Sequence, residues 1–327
     1  MVRLALVSRP PEESEMRLAG QMGVTDIVSI LPDRSTTPQE EQGSVWEYGP
    51  FIDIRKQVED AGLTLSVIES IPISNRITLG LPGRDEDLET FCQSLKNMGK
   101  AGIPILCYNF MAVFNWLRTS ATTRGRGGAL VTSYDHALMD KAPLAHVSKV
   151  SEEQMWENFE RFLKKVVPVA EAARVKLALH PDDPPISPIR GLPRIIRTVD
   201  AFKRAFELVP SDYNGMTFCQ GNFAAMGVDV PATIRYFGER KKIFFAHFRD
   251  VRGTVPKFHE TFHDEGDTNM VEVMRAYREV GFDGPMRPDH APTMEGESND
   301  NPGYMIRGKL FAIGYMRGLL DAVNAEV

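Results

Sequence analysis

Eight short apolar segments, each followed by a longer amphipathic stretch, constrain the fold of this chain more than any other feature of its sequence. Each segment is rich in Val, Ile, Leu or Phe and has the length of a buried strand. The candidate strands are Arg3–Val7, Thr25–Leu31, Leu63–Glu69, Ile103–Asn109, Val175–His180, Gly215–Cys219, Ile243–Phe248 and Gly284–Asp289. Regular alternation of strand and helix predicts a parallel sheet, and eight repeats favour an α/β fold of the (β/α)8 barrel type. A doubly wound open sheet is the alternative.

The clearest predicted helix spans Ser151–Ala173. Ser151 is a good N-cap, and Gln154 stands at the spacing of a capping box. Apolar residues then recur at helical intervals, so that one face can pack against the strands. Pro168 is expected to kink or divide this helix. A last helix over Gly303–Ala322 is expected to close the chain.

Composition excludes several classes of protein. The 327 residues, 43% of them hydrophobic, are enough for one large barrel, and we predict a single domain over residues 1–327. The formal net charge of −6 provides no basic surface for nucleic acid. No apolar run is long enough for a transmembrane helix. The three cysteines, Cys92, Cys107 and Cys219, are too few for a disulfide framework, which favours a reducing cytoplasm.

One connection between predicted strands is unusually long. Residues 111–143 follow the fourth strand and exceed the length of an ordinary loop. They contain the sequence NWLRT and the flexible TTRGRGG. Active sites of barrels lie on the side where this connection emerges, so we expect a lid, with a simple surface excursion as the alternative. A second polar segment, Gln39–Tyr48, is expected to be a loop.

Four residues of metal-ligating type stand at the ends of the last four predicted strands: His180, Cys219, His247 and Asp289. The carboxyl ends of the strands of a closed barrel surround one mouth, so these side chains are expected to converge. Imidazole, thiolate and carboxylate together suit a first-row divalent cation. Taken singly, each residue has a structural explanation, such as a buried thiol or a hydrogen-bonded core histidine. Their joint position predicts a metal centre.

Strand alternation also predicts which neighbours point into the mouth, because residues two apart share a face. Arg249 and Arg287 each stand two residues from a predicted ligand and could bind an acidic substrate. Alternatively, they form ion pairs with aspartates of the same rim. The candidate partners are Asp182, Asp183 and Asp250. Gly221, two residues after a predicted ligand, is expected to leave room for a substrate.

The motif HExxH spans His259–His263. In zinc proteases this motif requires a stable helix with both histidines on one face. Here the segment begins just after Pro256 and reaches Gly266 within a few residues, so no helix is expected. We predict instead a loop after the seventh strand that brings Glu260 or His263 near the substrate.

Several longer motifs resemble the mannonate dehydratase family of hexuronate catabolism. Their combination is far more specific than any one of them, and the resemblance covers most of the chain from about Val58 onward. The motifs are SVIESIPI (Ser66–Ile73), GKAGIPILCYNFMAVFNWLRT (Gly99–Thr119), LHPDDPP (Leu179–Pro185), TFCQGNF (Thr217–Phe223), FFAHFRDV (Phe244–Val251), FHETFHDEGDTNM (Phe258–Met270), RPDHAP (Arg287–Pro292) and NPGYMIRGKLFAIGYMRGL (Asn301–Leu319).

This resemblance implies a xylose-isomerase-like barrel and a bound divalent metal, Mn²⁺ or Fe²⁺. It also implies a lyase that dehydrates D-mannonate to 2-keto-3-deoxy-D-gluconate. The four predicted ligands fall where the family places its metal ligands, and Tyr304 fits its catalytic tyrosine. The first segment of the chain, Met1–Met16, lacks the aromatic first strand that is usual in the family.

Loss of water from a sugar acid needs a base at C2 and an acid for the hydroxyl that leaves C3. We expect Tyr304 and His290 to fill these roles, in either order, with Arg307 or the cation lowering the pKa of the tyrosine. His290 could instead only orient Asp289. The candidate substrate-binding residues are Asn109, Arg118, Arg249, Glu260, His263, Arg287 and Arg307.

Other functions remain open on the sequence alone. A metal-dependent isomerase or epimerase of neutral sugars would share the barrel, and a dehydratase could act on a different aldonic acid. A catalytically silent relative that binds sugar or metal is a third class. The expected partner is a small-molecule sugar acid, with no nucleic acid and no membrane. A homo-oligomer is also expected, because barrels of this kind often associate.

Overall fold

The computed structural model describes residues 1–31, 45–147 and 149–326 of the chain. At its centre, eight parallel strands close into a barrel, which confirms the predicted fold. The strands of the structure, in chain order, are β1 (Arg3–Val7), β2 (Asp26–Ser29), β3 (Thr64–Glu69), β4 (Ile105–Tyr108), β5 (Ser120–Arg124), β6 (Leu130–Asp135), β7 (Lys176–Leu179), β8 (Asn214–Cys219), β9 (Ile243–Phe248), β10 (Val251–Thr254), β11 (Lys257–Glu260) and β12 (Pro285–Pro288).

The barrel consists of β1, β2, β3, β4, β7, β8, β9 and β12, each paired in parallel with the next, and β12 pairs with β1 to close the ring. All eight predicted strands are therefore present, with ends that differ by one or two residues. Small and branched side chains, among them Ala5, Val28 and Ala178, fill the barrel interior. They form a packed plug below the mouth, as expected for a barrel of this size.

Helices surround the barrel and bury their apolar faces against it. The helices are α1 (Glu13–Gln21), α2 (Tyr48–Asp60), α3 (Asn75–Leu79), α4 (Arg84–Lys100), α5 (His136–Met139), α6 (Glu152–Ala173), α7 (Val199–Leu208), α8 (Gln220–Ala225), α9 (Val230–Glu239), α10 (Met270–Glu279) and α11 (Ile306–Asn324). Among the described helices, none has both the length and the apolar character needed to cross a membrane.

Helix α6 shows how local sequence determines an element. Ser151 accepts a hydrogen bond from the backbone of Gln154, and the Gln154 side chain accepts one from the backbone of Ser151, which is the predicted capping box. Phe159 and Phe162 are fully buried on the face that packs inward. Pro168 does not divide the helix, which continues to Ala173. The burial of that apolar face outweighs the hydrogen bond that proline removes.

The long connection over residues 111–143 contains β5, β6 and α5 rather than an irregular loop. Its two strands join β10 and β11 in an antiparallel sheet of order β10-β11-β6-β5, which we name the side sheet. The motif HExxH lies partly on β11, so the helix of a zinc protease is absent at this position. Whether residues 111–143 move as a lid stays a prediction. Of the loop predicted over Gln39–Tyr48, residues 39–44 lie outside the described part of the chain.

Candidate active site

The four predicted metal ligands lie together at the carboxyl end of the barrel. The nearest nitrogens of His180 and His247 are 3.2 Å apart. Oδ2 of Asp289 lies 3.6 Å from Nδ1 of His247 and 3.7 Å from Sγ of Cys219. One donor atom from each of His180, Cys219 and His247 falls within 4.8 Å of the others. The structure thus brings the four side chains together, while their role as ligands stays a prediction.

Strand register explains this convergence. Cys219 on β8 pairs with His247 on β9, and His247 pairs with Arg287 on β12. Residues paired in this way stand at the same height in the barrel wall. His180 follows β7 directly and Asp289 follows β12, so both reach the same rim. Neighbouring strands therefore present their donors at one level.

A hydrogen bond orients the imidazole of His180 as a metal ligand requires. Nδ1 of His180 lies 2.7 Å from the carbonyl oxygen of Pro181, which can only accept, so the ring proton resides there and Nε2 is bare. Burial lowers the pKa of His180, which keeps its ring neutral. His247 turns Nε2 toward Glu69, 3.6 Å away, and Nδ1 toward His180. Two imidazoles and a sulfur around one point, with the carboxylate of Asp289 beside them, fit a divalent cation.

A second group of donors shares His247 and consists otherwise of Glu69 and Cys107. It fits a cation less well, because its sulfur is held as a thiol and both oxygens of its carboxylate accept bonds from an arginine. Thr217 donates a hydrogen bond to Sγ of Cys107, and burial raises the pKa of that thiol well above its usual value. Glu69 forms a two-bond ion pair with Arg287, at 2.7 and 3.0 Å. The group around Cys219 and Asp289 is the better candidate.

The two predicted arginines are held in buried ion pairs. Arg249 contacts Asp183 at 2.9 Å and Glu260 at 2.7 Å, and it donates to Sγ of Cys219 at 3.4 Å. Asp183 was among the partners considered for this arginine. The glycine at Gly221 is required for another reason than expected. A Cβ there would lie 2.6 Å from the Arg249 side chain, so the missing side chain makes room for the arginine and not for substrate.

His290 and Tyr304, the predicted proton-transfer residues, face each other beside Asp289. Their ring centroids are 5.5 Å apart, and the Tyr304 hydroxyl lies 3.4 Å from Oδ1 of Asp289. His290 adopts a left-handed backbone conformation with φ +46°, which is uncommon for a residue other than glycine and is often found at active sites. Trp116 packs against His290 at 5.0 Å.

The pKa of Tyr304 was expected to be lowered, but it is raised. Burial is the main cause, and the negative charge of Asp289 adds to it. The expected help from Arg307 is missing because that side chain is exposed and bonds to the backbone carbonyl of Glu295. Arg307 therefore does not reach the cleft. Without a cation, the phenol of Tyr304 stays protonated.

A recognisable family accounts for these observations. The family model described as D-mannonate dehydratase (UxuA) matches residues 12–149 and 140–327. Mannonate dehydratase of Thermotoga maritima is 37% identical over 92% of this chain and 91% of its own length. The crystal structure of mannonate dehydratase from Streptococcus suis serotype2 superposes with a TM-score of 0.92 at 33% identity, covering 100% of this chain and 96% of the other. This chain belongs to the D-mannonate dehydratase family.

The broader fold relationship is also confirmed. A xylose isomerase domain protein from Planctomyces limnophilus superposes with a TM-score of 0.61 at 13% identity, covering 99% of this chain and 98% of the other. At that identity the likeness concerns the fold alone. This chain therefore has the xylose-isomerase-like barrel that its sequence motifs implied.

The remaining predicted residues divide into two groups. Asn109 lines the cleft with His180, Asp289 and Tyr304. Arg118, Glu260 and His263 are part of the buried wall behind the cleft and are not among the residues that line it. Burial lowers the pKa of His263 to about 4, and its Nε2 donates to the backbone carbonyl of Asp289 at 3.1 Å.

The residues of the cleft that the sequence reasoning missed include Arg9, Glu69 and Trp116. Glu69 ends β3 on the same rim as the four predicted ligands, so the rule that selected those residues could have found it. Arg9 follows β1 and forms an ion pair with Glu69 at 3.0 Å. No local pattern marked Arg9 or Trp116, because both lie in irregular segments.

Proposed function

We propose that this protein is a metal-dependent sugar-acid dehydratase that converts D-mannonate to 2-keto-3-deoxy-D-gluconate and water. Membership of the D-mannonate dehydratase family supports the reaction class. The single observation that carries the proposal is the convergence of His180, Cys219, His247 and Asp289 directly beside Tyr304 and His290. A cation held by these residues would lie next to two groups that can move protons.

The proposed cation is Mn²⁺ or Fe²⁺. Both accept nitrogen, sulfur and carboxylate ligands together. Bound at this site, the cation would act as a Lewis acid that stabilises the negative charge on the substrate carboxylate while the C2 proton leaves. The protein supplies the geometry: Pro181 accepts the hydrogen bond that orients His180, and Glu69 faces Nε2 of His247 at 3.6 Å.

The charges around the cleft suit a monoanionic substrate. Two anionic ligands, the Cys219 thiolate and Asp289, would balance a divalent cation. Nearby, Arg9 and Arg287 share the single carboxylate of Glu69, which leaves one positive charge in excess. The side chain of Arg9 is 32% exposed, and Arg287 is fully buried, so Arg9 is the guanidinium that a carboxylate entering the cleft can reach.

Proton transfer is assigned to Tyr304 and His290. One removes the C2 proton, and the other protonates the hydroxyl that leaves C3. Both line the cleft, and Trp116 packs against His290 and shields it from solvent. Exclusion of water strengthens the electrostatic interactions within the site.

Residues 111–143 are proposed to act as a lid. Arg118, from this segment, contacts Asp183 at 2.7 Å and Glu260 at 2.8 Å, so the segment is attached directly to the wall of the site. Trp116, two residues before, lines the cleft itself. The proposed place of action is a reducing cytoplasm, which the three unpaired and buried cysteines support.

The test is a turnover assay on purified protein with a panel of aldonic acids, in which 2-keto acid product is measured. D-Mannonate is expected to be the preferred substrate, chelation is expected to abolish turnover, and added Mn²⁺ or Fe²⁺ should restore it. Full turnover by metal-free protein would contradict the metal-dependent mechanism. Neutral ketoses in the same panel test the alternative of an isomerase or epimerase. Isomerised or epimerised product from these sugars, with no keto acid from the aldonic acids, would overturn the assignment as a dehydratase.

A further inference from the structure

Glu260 occupies a position that substrate binding does not explain. It is the last residue of β11 in the side sheet, and its side chain is fully buried. Its Oε1 lies 3.0 Å from Nδ1 of His290, on the side of the ring that faces away from Asp289. Glu260 therefore lies behind the predicted proton-transfer histidine rather than in front of it.

The surroundings of Glu260 keep its carboxylate ionised. Arg249 forms two bonds to it, at 2.7 and 2.9 Å, and Arg118 forms a third at 2.8 Å. Asp183 lies across from Glu260 and contacts the same two arginines. Two carboxylates and two guanidinium groups thus balance one another in a buried cluster. Burial alone would raise the pKa of Glu260, but Arg249, His290 and Arg118 bring it down to about 2.

An ionised carboxylate at this place determines which nitrogen of His290 carries the proton. A carboxylate can only accept hydrogen bonds, and a guanidinium can only donate them. Arg118 also lies 3.0 Å from Nδ1 of His290, but the two protons of its Nη2 are already donated to Oε1 of Glu260 and Oδ2 of Asp183. Nη2 of Arg118 and Nδ1 of His290 lie close together because both point at Oε1 of Glu260. A proton on Nδ1 completes the third bond to Oε1 and leaves the lone pair on Nε2.

We propose that Glu260 is a positioning residue, which holds His290 in the tautomer with the proton on Nδ1 and thereby presents a bare Nε2 to the substrate. The inference rests on the proposed function, in which His290 transfers a proton. In the neutral ring, Nε2 then accepts a proton, and once charged the ring can return it. The side sheet thereby contributes to catalysis, because its strand β11 places Glu260 next to His290.

The direct test is ¹⁵N NMR of protein labelled at histidine and loaded with Zn²⁺, which is diamagnetic and accepts the same donors. The chain has 7 histidines, and the signals of His290 are assigned by their loss in His290→Asn. We expect the Nδ1-protonated tautomer in the wild type and a shift toward the Nε2-protonated form in Glu260→Gln. A wild-type protein with its proton on Nε2 would overturn the proposal. This measurement needs no turnover, so it stands apart from any failure of the proposed reaction.

Kinetics give the second readout. Glu260→Gln is expected to lower kcat about 100-fold, the order of a general acid–base contribution, with little change in KM or metal content. Adding Glu260→Gln to His290→Asn should cost almost nothing further, because the two residues act as a unit. If Glu260→Gln lowers kcat as much in the His290→Asn background as in the wild-type background, a role of Glu260 through His290 is refuted.

A matched control separates positioning from simple loss of a buried carboxylate. Asp250 is buried near the same hairpin and accepts bonds from the backbone of Val251 and Thr268, at 2.9 and 3.1 Å, without contact to His290. Asp250→Asn is expected to lower thermal stability and to leave both kcat and the His290 tautomer as in the wild type. Equal losses of kcat in Asp250→Asn and Glu260→Gln would assign the effect to stability and would overturn the proposal.

Discussion

The rim of the barrel and the side sheet build the site in different ways. On the rim, Cys219, His247 and Arg287 lie on adjacent strands and pair with one another at one level. In the side sheet, β6 pairs with β11, and these strands come from two connections more than a hundred residues apart. The rim places the donors that can hold a cation, and the side sheet places Glu260 behind His290. The candidate metal ligands and the residue that orients His290 thus come from separate parts of the chain.

The largest expected effect is on the rim. His247→Gln removes one predicted ligand and the contact to Glu69, so metal affinity and turnover should both collapse. A Lewis acid contributes several kcal/mol to such a reaction, which corresponds to a loss of about a thousandfold or more in kcat. Metal analysis and the keto-acid assay measure the two losses. Retention of stoichiometric metal with normal turnover would exclude His247 as a ligand.

Tyr304→Phe should separate proton transfer from metal binding. Removal of the hydroxyl leaves the four predicted ligands in place, so we expect unchanged metal content and a fall in kcat of about a hundredfold or more. The raised pKa of Tyr304, caused by burial and Asp289, predicts that the phenol stays protonated in metal-free protein. Ultraviolet titration of the tyrosines measures this, with Tyr304→Phe as the reference. Near-normal turnover of the variant would remove Tyr304 from the chemistry.

Arg118→Met tests the buried ion pairs behind His290. It leaves Asp183 and Glu260 with Arg249 as their shared partner, and loss of one member of a buried ion pair costs about 3–5 kcal/mol. The free energy of unfolding in denaturant measures this loss. Arg126→Ala is the matched control, because Arg126 pairs with Asp264 at the protein surface, where such a pair is worth at most about 1 kcal/mol. Equal losses in the two variants would contradict the buried network.

The pH dependence of stability gives the smallest effect. Because the pKa of folded Glu260 is about 2, below its usual value of 4.5, its ionised form stabilises the folded state above pH 4.5. This contribution, about 3 kcal/mol, is lost as the pH falls through 4.5 toward 2. The difference in free energy of unfolding between wild type and Glu260→Gln should therefore be largest near pH 6 and shrink on acidification. A difference that is constant over this range would exclude an ionised Glu260.

The rim was predictable from the sequence because its signal is local. An apolar run shows where a strand ends, and the ends of parallel strands in a barrel meet at one mouth, so His180 and Asp289 could be placed together without coordinates. The same rule covers Glu69, which was overlooked. The roles of Arg307 and Gly221 were misjudged for the opposite reason. Gly221 lies on α8 after its strand has ended, where alternation does not extend, and Arg307 lies on α11, where the orientation of the helix decides which way its side chain points.

By itself, the sequence determined the eight strands, the capped helix α6 and the level at which the donors stand, since each of these follows from the periodicity of neighbouring residues. Only the tertiary structure decided that Arg118 and Glu260, 142 residues apart, share a bond behind His290. Pairing between distant strands depends on which surfaces remain available after the barrel closes. That choice is made by packing and charge balance across the whole molecule, and no short stretch of residues contains it.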